Sequence, residues 1–123
     1  MGKRSAEGVV ITGVYGSGKS SVAAEIAYLL EQQGEPYALL DLDYLGWAST
    51  GGGDRVTELR LMLRNLADVA SNYRQAGIRL FVLAYFVRDA GLLHGVREAL
   101  GLPLRAARLT VPLAEIELPS ISG

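Results

Sequence analysis

Residues 13–20 read Gly-Val-Tyr-Gly-Ser-Gly-Lys-Ser, a full match to the spacing G-x-x-x-x-G-K-[ST]. No other stretch limits the fold as strongly. An apolar, strand-like run, Val9 to Thr12, ends at the first of its three glycines, and helical spacing starts at about Lys19. Glycines let the backbone curl until successive amides point at a common centre without side-chain collision. A helix starting there adds its unpaired N-terminal amides and the positive end of its dipole. Such a turn suits a polyphosphate, and it needs a strand that feeds directly into a helix. Of 12 Lys+Arg, only Lys3 and Lys19 are lysine, and one of those two closes the loop. The pattern predicts that Gly13, Tyr15, Gly16, Ser17, Gly18, Lys19, Ser20 and Ser21 bind nucleotide phosphates. Lys19 would meet the β- and γ-phosphates as a point charge, and the Ser20 hydroxyl would ligate Mg²⁺.

The rest of the chain repeats the alternation. Val22, Ile26, Leu29 and Leu30 share one helical face, stopped by Gly34 and Pro36. Tyr37 to Asp43 is strand-like and finishes in acids. After the loop "STGGGD", with Asp54 as a helix cap, Leu59, Met62, Leu63, Leu66, Val69, Ala70 and Tyr73 line one side of a helix over Val56 to Ala76. "RLFVLAYFV" is the most hydrophobic strand and is expected to be central. A weaker helix, Asp89 to Leu100, precedes a fourth strand, "LRAARLTV", and Pro112 could open one more helical turn. Strands alternating with helices predict an α/β domain: a parallel sheet of about four strands with helices on both faces, one unit over residues 1–123.

Asp41 and Asp43 alternate at the carboxyl end of the second strand, where period-2 geometry would put both on one face at the edge that binds ligands. A carboxylate there can hold Mg²⁺ or accept the proton of an attacking hydroxyl; the plain alternative is a turn or cap acid beside Gly46. Asp43 is assigned the functional role, as base and metal partner, and Asp41 is left between the two readings. Tyr44 and Trp47 either line an acceptor pocket or cover the sheet. Arg55, Arg60 and Arg64 read as a solvated helix face among Glu58 and Asp68, and His94 as a surface residue.

Composition narrows the partners. A net charge of −1 gives no electrostatic footprint for nucleic acid or anionic lipid, and zero cysteines exclude disulfides and thiolate metal sites. The N-terminal apolar run is too short for a signal peptide and no stretch reaches the length of a membrane span, so a cytoplasmic protein is expected.

"GVYGSGKSS", then a helix, then "LLDLDYL" resembles the small P-loop kinases, the group with adenylylsulfate kinase, gluconate kinase and chloramphenicol phosphotransferase. "DLDYLGW" followed by a long helix and "NYRQAG" is similar to small P-loop proteins labelled AAA-family ATPase or adenylylsulfate-kinase-like. The likeness runs from about Val9 to Leu113. It implies a three-layer P-loop NTPase fold, ATP and Mg²⁺ as cofactors, and transfer of the γ-phosphoryl to the hydroxyl of an unidentified small molecule, with Lys19 and Asp43 catalytic. Two departures stand out. The third strand carries no acid at its carboxyl end, and the lid and last strand of such kinases are missing, with no arginine after Arg108. Arg55, Arg60 or Arg88 would then replace the lid arginine, or the chain is an ATP-binding switch or an inert binding module. The fourth strand would be an open edge, expected to pair in a homodimer.

Overall fold

Four short apolar runs form one parallel sheet: β1 (Glu7–Thr12), β2 (Tyr37–Asp41), β3 (Leu80–Ala84) and β4 (Leu104–Arg108). Their spatial order is β2-β3-β1-β4, so the two most hydrophobic strands are central, as the composition of β3 predicts. The computed structural model describes residues 5–14 and 16–110. Tyr15 and the turn expected after Pro112 lie outside the described residues.

Helix α1 (Lys19–Gln32) covers one face of the sheet; α3 (Arg55–Gln75) and α4 (Ala90–Leu100) pack together on the other. The α3/α4 side holds the larger core, in which Val10, Leu66, Phe81, Leu83, Val96 and Leu100 are buried. On the α1 side, Ile11, Val82 and Ala84 meet Ala23, with Ile26 and Leu30 packed against them. The strand residues therefore alternate between two buried faces. Three layers of this kind are the α/β architecture that the sequence predicts.

One helical face differs from expectation. Ala23 and Ala27, not Val22 and Leu29, are the buried residues of α1, and Leu29 is 50% exposed. Small side chains let the helix axis approach the sheet closely, which turns the larger apolar residues at 22 and 29 aside. The long helix agrees with its pattern: Met62, Leu66 and Ala70 are its buried stripe. Its cap is Asp54, whose carboxylate accepts from the Thr57 hydroxyl at 2.7 Å and the Val56 amide at 2.9 Å, and these bonds hold its carboxyl below the ordinary range.

Among the described residues β4 has no outer neighbour, and four of its five residues are exposed. The open edge matches the expectation for the fourth strand.

The two helix faces give a direct test. Leu66→Ala removes a fully buried side chain and is expected to cost about 2–5 kcal/mol. Leu29→Ala is expected to stay within about 0.5 kcal/mol. Urea unfolding of both variants checks the assignment.

Candidate active site

The loop after β1 has the shape its glycines predict. Gly16 (φ 85°) and Gly18 (φ 89°) are left-handed, and a Cβ on either would meet nothing within 4 Å, so the loop is open above them. Gly13 is closed in: a Cβ there would run into Ser17 Oγ. Ser17 Oγ is itself buried and without a hydrogen-bond partner. The Ser17 amide donates to Val14 O at 3.0 Å, which tightens the turn. Gly18 caps α1 with no side-chain bond, and the first helical amide bond is Val22 N to Gly18 O at 3.0 Å. The amides of Lys19, Ser20 and Ser21 thus precede the first internal bond of the helix, an arrangement that binds anions.

The second strand departs from its expected span. It stops at Asp41, and Asp43 sits on a four-residue helix, α2 (Leu42–Leu45). The two acids therefore do not share a strand face. Asp41 Oδ1 accepts the Asp43 amide at 3.0 Å, and this cap turns the chain out of the sheet. Its other oxygen, Oδ2, lies 3.5 Å from the Ser20 hydroxyl that donates to it. Asp41 thus joins the start of α1 to the start of α2. Burial pushes the Asp43 carboxyl above the ordinary range; the negative Asp41 adds to the rise and the Lys19 ammonium opposes it. Lys19, Ser20, Asp41 and Asp43 consequently share one electrostatic neighbourhood at the carboxyl edge of the sheet.

Beyond Asp43 lies a cavity of about 300 Å³. Leu42, Val56, Leu59 and Met62 supply its apolar wall; Asp43, Glu58, Arg55, Arg88 and Tyr85 supply its polar one. Several fixed contacts place these groups. Asn65 Nδ2 donates to Leu45 O at 2.7 Å and ties α2 to α3. A Cβ on Gly46 would come within 2.9 Å of Met62 Cβ, so the turn after α2 needs glycine to lie against α3. The buried Thr12 hydroxyl accepts the Val87 amide at 2.7 Å, and the Tyr85 amide donates to Ile11 O at 3.2 Å. These two bonds pin the segment that carries Tyr85 and Arg88 to the end of β1.

Arg55 and Arg88, named in the sequence as candidate charge partners, both face this cavity, whereas Arg60 and Arg64 do not line it. Tyr85 and Glu58 were not singled out by sequence. The only signal for Tyr85 was its place just past the carboxyl end of β3, hidden inside an apolar run. Tyr44 and Trp47 are stacked on each other, 5.5 Å between ring centroids, at 70% and 76% exposure, and neither lines the cavity. Asp89 caps α4 through the Leu92 amide, and His94 lies on the surface 3.6 Å from Glu98.

The oxygen donors at Ser20 and Asp41, with Asp43 nearby, suit Mg²⁺, which takes few protein ligands and keeps waters and phosphate oxygens. Among the described residues no cluster of three or more His, Cys, Asp or Glu forms an all-protein metal cage, and no helix is long and apolar enough to cross a membrane.

The family model described as adenylylsulphate kinase matches residues 5–88. No curated protein matches the chain. Among solved structures, APE1195 is 28% identical, with a TM-score of 0.64, over 97% of this chain and 71% of that one. The APS kinase CysC of Mycobacterium tuberculosis, solved with AMPPNP and APS, is 26% identical, with a TM-score of 0.68, over 92% of this chain and 67% of that one. A sugar kinase from Janibacter sp. HTCC2649 has a similar fold at 21% identity, with a TM-score of 0.63, over 97% and 67%.

The raised Asp43 carboxyl carries a pH signature. An acid whose folded pKa lies above its unfolded value makes the folded state less stable as pH rises through that interval. Asp43→Asn is therefore expected to resist urea better than the parent at pH 7, with the difference vanishing at pH values below the ordinary carboxyl range. Denaturation midpoints at both pH values check it.

Proposed function

The chain belongs to the adenylylsulphate kinase family, and on that footing we propose that it is a Mg²⁺-dependent phosphotransferase that moves the γ-phosphoryl of ATP to a small-molecule hydroxyl. The observation that carries the reading is the meeting of Lys19, Ser20 and Asp43 at one sheet edge, beside a cavity sized for a small acceptor.

In this reading the amides of residues 16–21 and the Lys19 ammonium bind the phosphates, with Gly13, Ser17 and Gly18 shaping the loop. Tyr15 stands in the same loop by sequence. Ser20, with Asp41 and Asp43 as the carboxylates beside it, would hold Mg²⁺, which when bound neutralises charge on the β- and γ-phosphoryl oxygens. Asp43 accepts the acceptor's hydroxyl proton. A new bond forms from that oxygen to the γ-phosphorus, and the bond to the β–γ bridging oxygen breaks to leave ADP. The raised carboxyl of Asp43 makes it a better proton acceptor than an ordinary aspartate. Arg55 and Arg88 line the same cavity and take the charge-stabilising part on the transferring phosphoryl. The open β4 edge supports association of two chains along it.

Lys19→Ala is expected to weaken nucleotide binding by at least about tenfold, since it removes a charge-assisted contact. Asp43→Asn is expected to lower acceptor-dependent ADP formation by about 10²–10⁴-fold while weakening the binding of ATP with Mg²⁺ less than Lys19→Ala does. Calorimetric titration with ATP and Mg²⁺, and coupled detection of ADP, read the two effects separately. ADP release that ignores every added hydroxyl compound would favour an ATPase instead.

A further inference from the structure

The hydroxyl of Ser17 has no part in the phosphotransfer steps, and it has no partner in the loop either. Its Oγ is buried and, among the described residues, neither donates nor accepts a hydrogen bond. The Ser17 amide is already fixed on Val14 O at 3.0 Å. The side chain lies against Gly13, where an added Cβ would collide with Oγ and stand 3.1 Å from Ser17 Cβ. The third atom around that point is the carbonyl oxygen of Leu109, 3.3 Å from the same Cβ position.

Leu109 is anchored on two sides and free on the third. Its amide donates to Thr12 O at 2.7 Å, and its side chain packs with Ile26 and Leu30 on the cluster of Ile11, Ala23, Val82 and Ala84. Its carbonyl accepts no hydrogen bond among the described residues. An unpaired donor and an unpaired acceptor thus flank one glycine, and any side chain at position 13 would stand in their way. A buried hydroxyl without a partner costs free energy that one hydrogen bond would recover. The loop has freedom to make that bond. Gly16 and Gly18 hold positive φ with nothing within 4 Å of an added Cβ, so packing does not fix the crown of the loop as it fixes Gly13 and Leu109. Phosphate oxygens that gather the loop amides act on this free side.

We propose that Ser17 is a positioning residue: its hydroxyl donates to the Leu109 carbonyl when phosphates fill the loop and is unpaired when they do not. The bond ties the phosphate loop to the end of β4. Only the filled state gains it, and an interaction made in one state alone shifts the equilibrium towards that state. Ser17 therefore adds to nucleotide affinity without touching the nucleotide through its side chain, and it carries the occupancy of the loop to the chain that leaves β4. This role rests on the phosphate-binding reading of the loop, and the two are separated by comparing the parent with one variant.

The test uses the full chain and Ser17→Ala, with AMPPNP and Mg²⁺ as the probe. By calorimetric titration, Ser17→Ala is expected to bind AMPPNP about fivefold more weakly than the parent, as for one lost neutral hydrogen bond. Without nucleotide it should unfold at the same urea concentration as the parent or a higher one, because the hydroxyl it loses has no partner there. A serine with a merely structural role would give the opposite pair, a lower midpoint and an unchanged affinity. The carbonyl carbon resonance of Leu109 reports the acceptor directly. It should move downfield when AMPPNP and Mg²⁺ are added to the parent, and that movement should be lost in Ser17→Ala. Equal AMPPNP affinity in the two proteins, or the same Leu109 response in both, overturns the role of Ser17 and leaves the nucleotide reading standing. A parent that binds no AMPPNP removes both.

Discussion

The carboxylate of Asp41 spends its two oxygens on two different elements, and the candidate site depends on that division. One oxygen holds the amide of Asp43 and so ends the second strand; the other receives the hydroxyl of Ser20 at the start of α1. The first contact turns the chain out of the sheet and, with Asn65 and Gly46 holding α2 on α3, places Asp43 beside the cavity. Among the described residues, the second is the side-chain hydrogen bond that links the start of α1 to the turn after β2. A capping interaction worth about 1 kcal/mol in an ordinary helix here sets the relative position of the groups that the proposed chemistry needs.

Parallel strands add a second constraint, since all four deliver their carboxyl ends to one edge. The loop after β1 supplies the phosphate cradle, the turn after β2 supplies Asp43, and the segment after β3 supplies Tyr85 and Arg88. Thr12 couples the first of these to the third: as a buried hydroxyl at the end of β1, it satisfies the Val87 amide and fixes the path of a segment with no regular structure. α3 forms the far wall with its N-terminal turn, whose position is set by the Asp54 cap. Each functional group is thus held by a backbone contact within a few residues of it.

How much of this could be read from residue order varies with the kind of signal. The turn at Gly13, Gly16 and Gly18 and the helix start at Lys19 are legible from their spacing and flanking periodicities. The alternation of elements and the Asp54 cap were legible for similar reasons. The turn at Asp41 was not: "LLDLDYL" satisfies a period of two as well as a cap followed by a helical turn, and only the side-chain bond to the Asp43 amide decides between them. On α1 the apolar pattern holds for Ile26 and Leu30, which pack on the sheet, but not for Val22 and Leu29, because close helix–sheet approach buries Ala23 and Ala27. Tyr85 and Glu58 were hidden because their neighbours in sequence resemble strand and solvated helix; only the tertiary arrangement brings them to one wall.

The mutual stacking of Tyr44 and Trp47 has a practical side. The chain has a single tryptophan, and it stands in water immediately after the short helix that bears Asp43. Its emission is therefore an intrinsic, label-free gauge of the solvent at the turn after α2, one residue from Gly46 on the cavity lining.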